Sequence, residues 1–225
     1  MKTSSRPRST RDRPAKAPLS EEAIVDAALA ILQAESLEAV SMRRVAAALD
    51  TGAGSLYVYV DGHDGLLEAM FDRIIAAVTL ETPDPSRWRA QLHNLLERLR
   101  AELVTHPGMA AATMVDPPRT ETAMRLLENL LGILLAGGLD AEVAAWAADI
   151  LAAQVTYAAI EAELRRTDPS ALAAKVAANF ARLPPDDFPL ITAHAAQLVA
   201  GDVDERFRFA IDVVIDGVLC SAPRH

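Results

Sequence analysis

Apolar residues along this chain recur at helical spacing, and no stretch alternates with the period of a strand. Ile24, Ala28, Ile31 and Leu32 fall at i, i+4, i+7 and i+8. Ser20 stands before them as an N-cap, and Glu21 and Glu22 suit the positive end of a helix dipole, so a helix is predicted over about 20–35. Ser41 caps a second, short helix carrying Val45 and Leu49. Asp50-Thr51-Gly52 then reads as a turn, followed by a third short segment through Tyr59. Asp61-Gly62-His63-Asp64-Gly65 breaks the chain again, and Leu67, Met70, Phe71, Ile74 and Val78 mark a longer fourth helix. Beyond Pro83 and Pro85, helices are predicted over 86–105, 109–115, 119–136, 140–166, 170–182, 189–200 and 205–219, separated by proline and glycine. The fold class is all-α, with no internal repeat.

Composition supports this. The 225 residues are 51% hydrophobic but only 4% aromatic, and alanine and leucine, both strong helix formers, dominate. Cys220 is the single cysteine, which excludes an internal disulfide or a cysteine metal cage. No run reaches about 18 uninterrupted apolar residues, so no membrane span is expected. The basic N-terminus lacks a following apolar segment, so a cytoplasmic protein is expected.

Charge changes the picture more. The formal net charge is -9, which taken alone argues against a nucleic-acid partner. Yet residues 1–19 carry Lys2, Arg6, Arg8, Arg11, Arg13 and Lys16 against Asp12 alone, about +5 on an arm rich in serine and proline. A basic arm on an acidic body suggests contact with a polyanion at one end, or else a solubilising tail. The organisation read from the chain is therefore a disordered basic arm over 1–19, a unit of short helices over 20–65, and a larger helical body over 66–225, with the fourth helix as the join.

Two short helices joined by a tight turn, after a longer first helix, form a helix-turn-helix pattern. Val45, Leu49 and Leu56 lock the pair together, while Gly52, Ala53, Gly54 and Ser55 give the last helix a narrow leading end that suits a major groove. Residues 24–70 resemble the DNA-binding domain of the TetR (tetracycline repressor) family. Ser41-Met42-Arg43-Arg44-Val45-Ala46 is similar to the family's second helix, and Leu49 through Leu67, centred on Leu56-Tyr57-Val58-Tyr59-Val60, to its turn, recognition helix and entry to helix four. In the body, His106-Pro107, Arg125 through Leu131, Gly138-Leu139, Phe188-Pro189 and Asp204-Glu205-Arg206-Phe207 resemble the family's ligand-binding domain.

The chain departs from that pattern in the head. Asp50 stands where the family has glycine, Thr51 where an apolar residue follows, and His63 where a phosphate-binding lysine is common. The unit 20–70 holds Arg43 and Arg44 against nine acids, so the basic arm is expected to supply phosphate neutralisation.

The resemblance implies roles. Arg43 stands where relatives read a guanine, by a bidentate contact or else on a phosphate. Ala53 stands at the leading end of the recognition helix; Ser55 and Tyr57 are candidates for base edges or a thymine methyl, although Tyr57 also suits plain packing. Ser41 and Tyr59 are phosphate candidates, with Arg44 and His63 behind them. In the body, Trp146, Ile150, Gln154 and Tyr157 follow at i, i+4, i+8 and i+11 on the longest helix. They read as core or as the wall of a pocket, with Gln154 the odd polar member. Asn94 and Asn129 raise the same question, and Met109 and Met114 add soft, adaptable surface. His106 reads as a helix C-cap. Tetracycline repressors hold magnesium through a histidine on their sixth helix; Thr113 stands there by the alignment, so no metal and no cofactor are expected.

No nucleophile–base pair and no metal-ligand spacing stands out, so the chain is not read as an enzyme. The expectation is a homodimeric regulator, most simply a repressor, that binds a palindromic double-stranded DNA operator and releases it on binding a small apolar effector. Helices 140–166 and 205–219 would form the dimer bundle, with Phe207, Ile211, Val214 and Val218 as its apolar seam. A helical protein-interaction module that does not bind DNA is the alternative.

Overall fold

The computed structural model describes residues 18–113, 119–165 and 169–221. The arm over 1–17 and Met114 lie outside the described residues. All regular elements among those residues are helical.

The head is built from α1 (Glu21–Ala34), α2 (Met42–Ala48) and α3 (Ala53–Leu56). Ser20 Oγ accepts from the Ala23 amide at 3.2 Å and Ser41 Oγ from the Arg44 amide at 3.3 Å, so both helices start on a side-chain cap. The inward face of α1, from Ile24 to Leu32, meets Val45 and Ala46 of α2 and Leu56 of α3 in one core. Between α1 and α2 the chain makes a 3-10 turn over Leu37–Ala39, too short to leave a periodic signal. Asp50 adopts φ 49°, the left-handed region. A short polar side chain tolerates that conformation better than most, so aspartate fills the glycine role in the turn.

The fourth helix, α4 (Gly62–Ile75), belongs to both parts. It packs on α1 and also touches the body helices α5 (Trp88–Val104), α6 (Met109–Ala112) and α7 (Glu121–Ala136). Leu66, Met70 and Ile74 are buried along it, so the core runs unbroken from head to body. Gln91, buried on α5, ties down the α4–α5 connection. Its amide donates to the Thr82 carbonyl and accepts from the Asp84 amide, each at 2.8 Å. Gly137 at the end of α7 lies against Trp88, where an added Cβ would stand 2.5 Å from the ring.

The long helix α8 (Ala141–Arg165) is the spine of the body, with α5, α6, α7 and α12 (Val203–Ser221) packed on it. Its inward face is Ala144, Ala147, Ala148, Leu151, Val155, Ala158 and Ala159. Small residues there let the neighbouring helices approach closely. By length and hydropathy α8 could cross a bilayer, but that buried face gives it the setting of a core helix.

Two expectations change here. Phe207 and Ile211, expected in a dimer seam, are buried with Ile215 inside their own subunit against α8, and Val214 and Val218 pack partly against the same core. Phe207 is 1% exposed, whereas Phe209 is 69% exposed. Both faces of α12 are apolar, so periodicity alone could not choose between them. The helix predicted over 189–200 is two short ones, α10 (Pro189–Ala193) and α11 (Ala195–Val199), interrupted at His194. They pack with α9 (Pro169–Ala181) beside the bundle.

An antiparallel ladder joins α5 to α12. Arg89 pairs with Asp216 at 2.6 Å, His93 with Asp212 at 2.9 Å, Glu97 with Arg208 at 2.6 Å, and Arg100 with Asp204. The Glu97 carboxylate raises the Arg208 pKa by hydrogen bond and by charge. Arg100 also stacks on Phe207, 5.0 Å from the ring centre.

Candidate functional site

The head presents its candidate residues outward from a packed base. Leu56 and Val60 are buried, which fixes the segment between them. Tyr57, Val58 and Tyr59 project from it, with Val58 80% exposed. Ser55 is exposed and Ala53 half-buried at the start of α3. Tyr57 therefore does not pack in the core. Val58 was not singled out from sequence, since a valine between two tyrosines carries no polar signal.

Arg43 and Arg44 are both exposed on α2 but differ in their surroundings. Arg44 donates to Glu35 Oε1 at 2.6 Å, and Arg43 has no ion-pair partner among the described residues. Arg43 is thus free to reach a polyanion, while Arg44 must first leave a carboxylate. Ser41 Oγ is occupied as the α2 cap and stays exposed. His63 is exposed in the first turn of α4, beside that helix's free amides.

The body separates the candidate ligand residues. Trp146 (61% exposed), Ile150 and Tyr157 lie on the outer face of α8, not around an interior pocket. Gln154 is half-buried beside them, without a side-chain hydrogen bond among the described residues. The reason is packing: the alanine face of α8 turns inward, which forces the bulky residues out. Asn94 and Asn129 are half-buried and Met109 is fully buried. Asn129 donates to the Glu81 carbonyl at 2.7 Å, but its Oδ1 is buried without a partner. His106 Nδ1 lies 2.8 Å from the Glu102 carbonyl, which is a cap on the end of α5. Thr113 Oγ1 donates to the Met109 carbonyl at 2.8 Å.

Contacts that sequence reasoning missed tie head to body. The Gly108 amide donates to Glu163 Oε2 of α8 at 2.9 Å. Gly108 adopts φ 86°, and an added Cβ would stand 3.0 Å from Leu37 of the head. Gln33 on α1 donates to the Thr105 carbonyl at 2.7 Å, and Asp72 on α4 accepts from Thr120 and Thr122. The segment 105–109 is therefore gripped by the head on one side and α8 on the other.

Residues 24–70 match the sequence family of bacterial regulatory proteins, tetR family, and residues 82–221 match the tetracyclin repressor-like C-terminal domain. The second match alone spans more than half the chain. The protein belongs to the TetR family. Its TetR head and TetR body meet across α4. Among relatives, the HTH-type transcriptional repressor DrrR1 of Streptomyces coeruleorubidus is 37% identical over 133 residues, 56% of this chain and 48% of that protein. An HTH-type transcriptional regulator of Saccharopolyspora erythraea is 30% identical over 135 residues, 60% of this chain and 55% of that one. The matches thus span about half the length of these curated relatives. Among solved structures, the TetR family protein ActR of Streptomyces coelicolor in complex with actinorhodin is 34% identical, with a TM-score of 0.85 over 92% of this chain and 99% of that one. The same protein in complex with (S)-DNPA superposes with a TM-score of 0.84.

Proposed function

We propose that this TetR-family protein is a homodimeric repressor that binds a palindromic DNA operator and releases it when a small apolar molecule binds the body. The observation that carries the reading is the outward Tyr57-Val58-Tyr59 segment, held between buried Leu56 and Val60, with the neighbouring α2 presenting exposed Arg43, which has no ion-pair partner among the described residues. Rigid backing and exposed base-contacting side chains are what groove recognition requires. The repressor name of DrrR1 and the bound actinorhodin of ActR support repression and an effector.

The dimer is carried by an exposed apolar surface. Trp146, Ile150, Tyr157 and Leu164 on α8, with Phe209 and Val213 on α12, face solvent in one subunit. A soluble monomer rarely leaves so many large apolar side chains exposed. Burying them against a second copy places two reading heads about one DNA turn apart, roughly 34–36 Å. The effector acts by binding one head spacing better than another. The 105–109 segment, held by both Glu163 and Gln33, is the part of the body closest to the head in this coupling.

The test is fluorescence anisotropy with duplexes from the gene's own upstream region against scrambled duplexes of the same composition. Specific binding that retreats with added salt is the expected result. Equal affinity for all duplexes, or none, overturns the reading in favour of a protein-interaction module.

A further inference from the structure

Between residues 20 and 65 the head holds two arginines, Arg43 and Arg44, and no lysine. Both stand on α2, which packs on α3, and the helix before a recognition helix crosses the phosphate backbone. Neighbouring residues on a helix point about 100° apart, so the two side chains leave α2 in different directions. Arg44 turns to Glu35, the residue that caps the end of α1, and its Nη2 donates to Glu35 Oε1 at 2.6 Å. The two side chains are 50% and 43% exposed. An ion pair so open to water holds weakly, so a second anion in contact can take the guanidinium over. A phosphate in direct contact does so, because it accepts charge-assisted, bidentate hydrogen bonds. A phosphate reached only across water does not: at that distance and dielectric its pull is smaller than that of a carboxylate at hydrogen-bond distance.

From this arrangement we infer that Glu35 is a brake on DNA binding that acts through Arg44. The arginine stays on Glu35 while the head rests on unmatched DNA, and it passes to a phosphate when an operator seats the reading segment. The inference rests on the proposed DNA-binding function. Base contacts by the Tyr57-Val58-Tyr59 segment draw α2 against the backbone, whereas a head without them is held by sequence-independent charge alone. Of the head's two arginines, unmatched DNA therefore meets only Arg43, and the operator meets both. Each operator complex forms at the cost of the Arg44–Glu35 pair, so Glu35 lowers operator affinity and leaves the complex easier to dissolve. Glu35 is a positioning residue: its effect passes through the Arg44 guanidinium, and without that group the brake has nothing to hold.

The experiment is fluorescence anisotropy over a salt series on the full chain, with the upstream duplex and its scrambled counterpart. Arg44→Met is expected to flatten the dependence of log affinity on log salt by roughly 0.9, one phosphate, on the operator duplex alone. In the Glu35→Gln background it should flatten the dependence on both duplexes by that amount. Glu35→Gln by itself should tighten operator binding about two- to fivefold, the range that one exposed ion pair supplies. Glu38→Gln removes the same charge from an exposed side chain without an ion-pair partner among the described residues, and should leave the scrambled-duplex slope indifferent to Arg44→Met. Glu35→Ala serves if Glu35→Gln fails a circular-dichroism melt. Arg44→Met flattening both slopes in the wild-type background, or neither, overturns the inference, as does operator affinity that Glu35→Gln leaves unchanged or lowers. A wild type without preference between the duplexes sinks the proposed function instead. The scrambled duplex then decides the inference alone: it stands if Arg44→Met flattens that slope with Glu35→Gln and not without it, and falls otherwise.

Discussion

At the scale of single residues, neighbours in sequence have different work. Arg43 and Arg44 are adjacent and chemically identical, yet Arg44 is bound to Glu35 and Arg43 has no ion-pair partner among the described residues. Arg43→Ala should cost about 1–3 kcal/mol of operator affinity and relax preference at one base pair per half-site, as read by anisotropy across single-base operator variants. A uniform loss over all duplexes would make Arg43 a phosphate contact instead. Arg44→Ala should cost less than Arg43→Ala in the same titration, since wild-type Arg44 must give up its carboxylate before it reaches DNA. Gly108 sits at a junction where both backbone and space require glycine. Gly108→Ala combines φ 86° with a 3.0 Å approach to Leu37. It should lower stability by about 1–3 kcal/mol in urea titration. Adding Leu37→Ala should be less than additive, because the steric part of the cost is shared.

Elements bring out what periodicity could and could not decide. The boundaries of α1, α2 and α7 were legible because a serine, a threonine or an acidic first turn marks each start and the apolar face is one-sided. α8 and α12 are apolar on two faces, and their spacing fits either one. Packing resolves them: small side chains on α8 and the Phe207 face of α12 go inward. This predicts opposite outcomes for two phenylalanines two residues apart. Phe209→Glu should shift sedimentation from dimer toward the 24.1 kDa monomer and cost only the stabilisation that dimerisation supplies, so that its melting temperature no longer rises with protein concentration. Phe207→Ala should instead destabilise by about 3–5 kcal/mol through a core cavity. If Phe209→Glu sediments as the wild type does, the outer face of α12 is not the dimer surface.

The whole molecule is electrically divided. The head over 20–70 has two arginines and nine acids, and the arm over 1–19 carries the compensating positive charge. Deleting residues 1–19 should weaken operator binding and flatten the dependence of log affinity on log salt by roughly 0.9 for each phosphate that the arm neutralises. An unchanged slope, measured over the same salt range, would leave the arm without a part in DNA binding.

The sequence by itself determined the helical class, the helix-turn-helix and its family, because these depend on local spacing, caps and turn residues that act over a few positions. Asp50 in a left-handed turn and Ser41 as a cap are such cases. The tertiary structure alone decided which apolar face is core and which is surface. It turned Trp146, Ile150 and Tyr157 outward, and it brought Glu163 to Gly108 and Gln33 to Thr105 across 55 and 72 residues of chain. Such contacts follow from how close whole helices can approach one another. That distance is set by the side chains of every helix at the contact together, and no single segment carries it in its own periodicity.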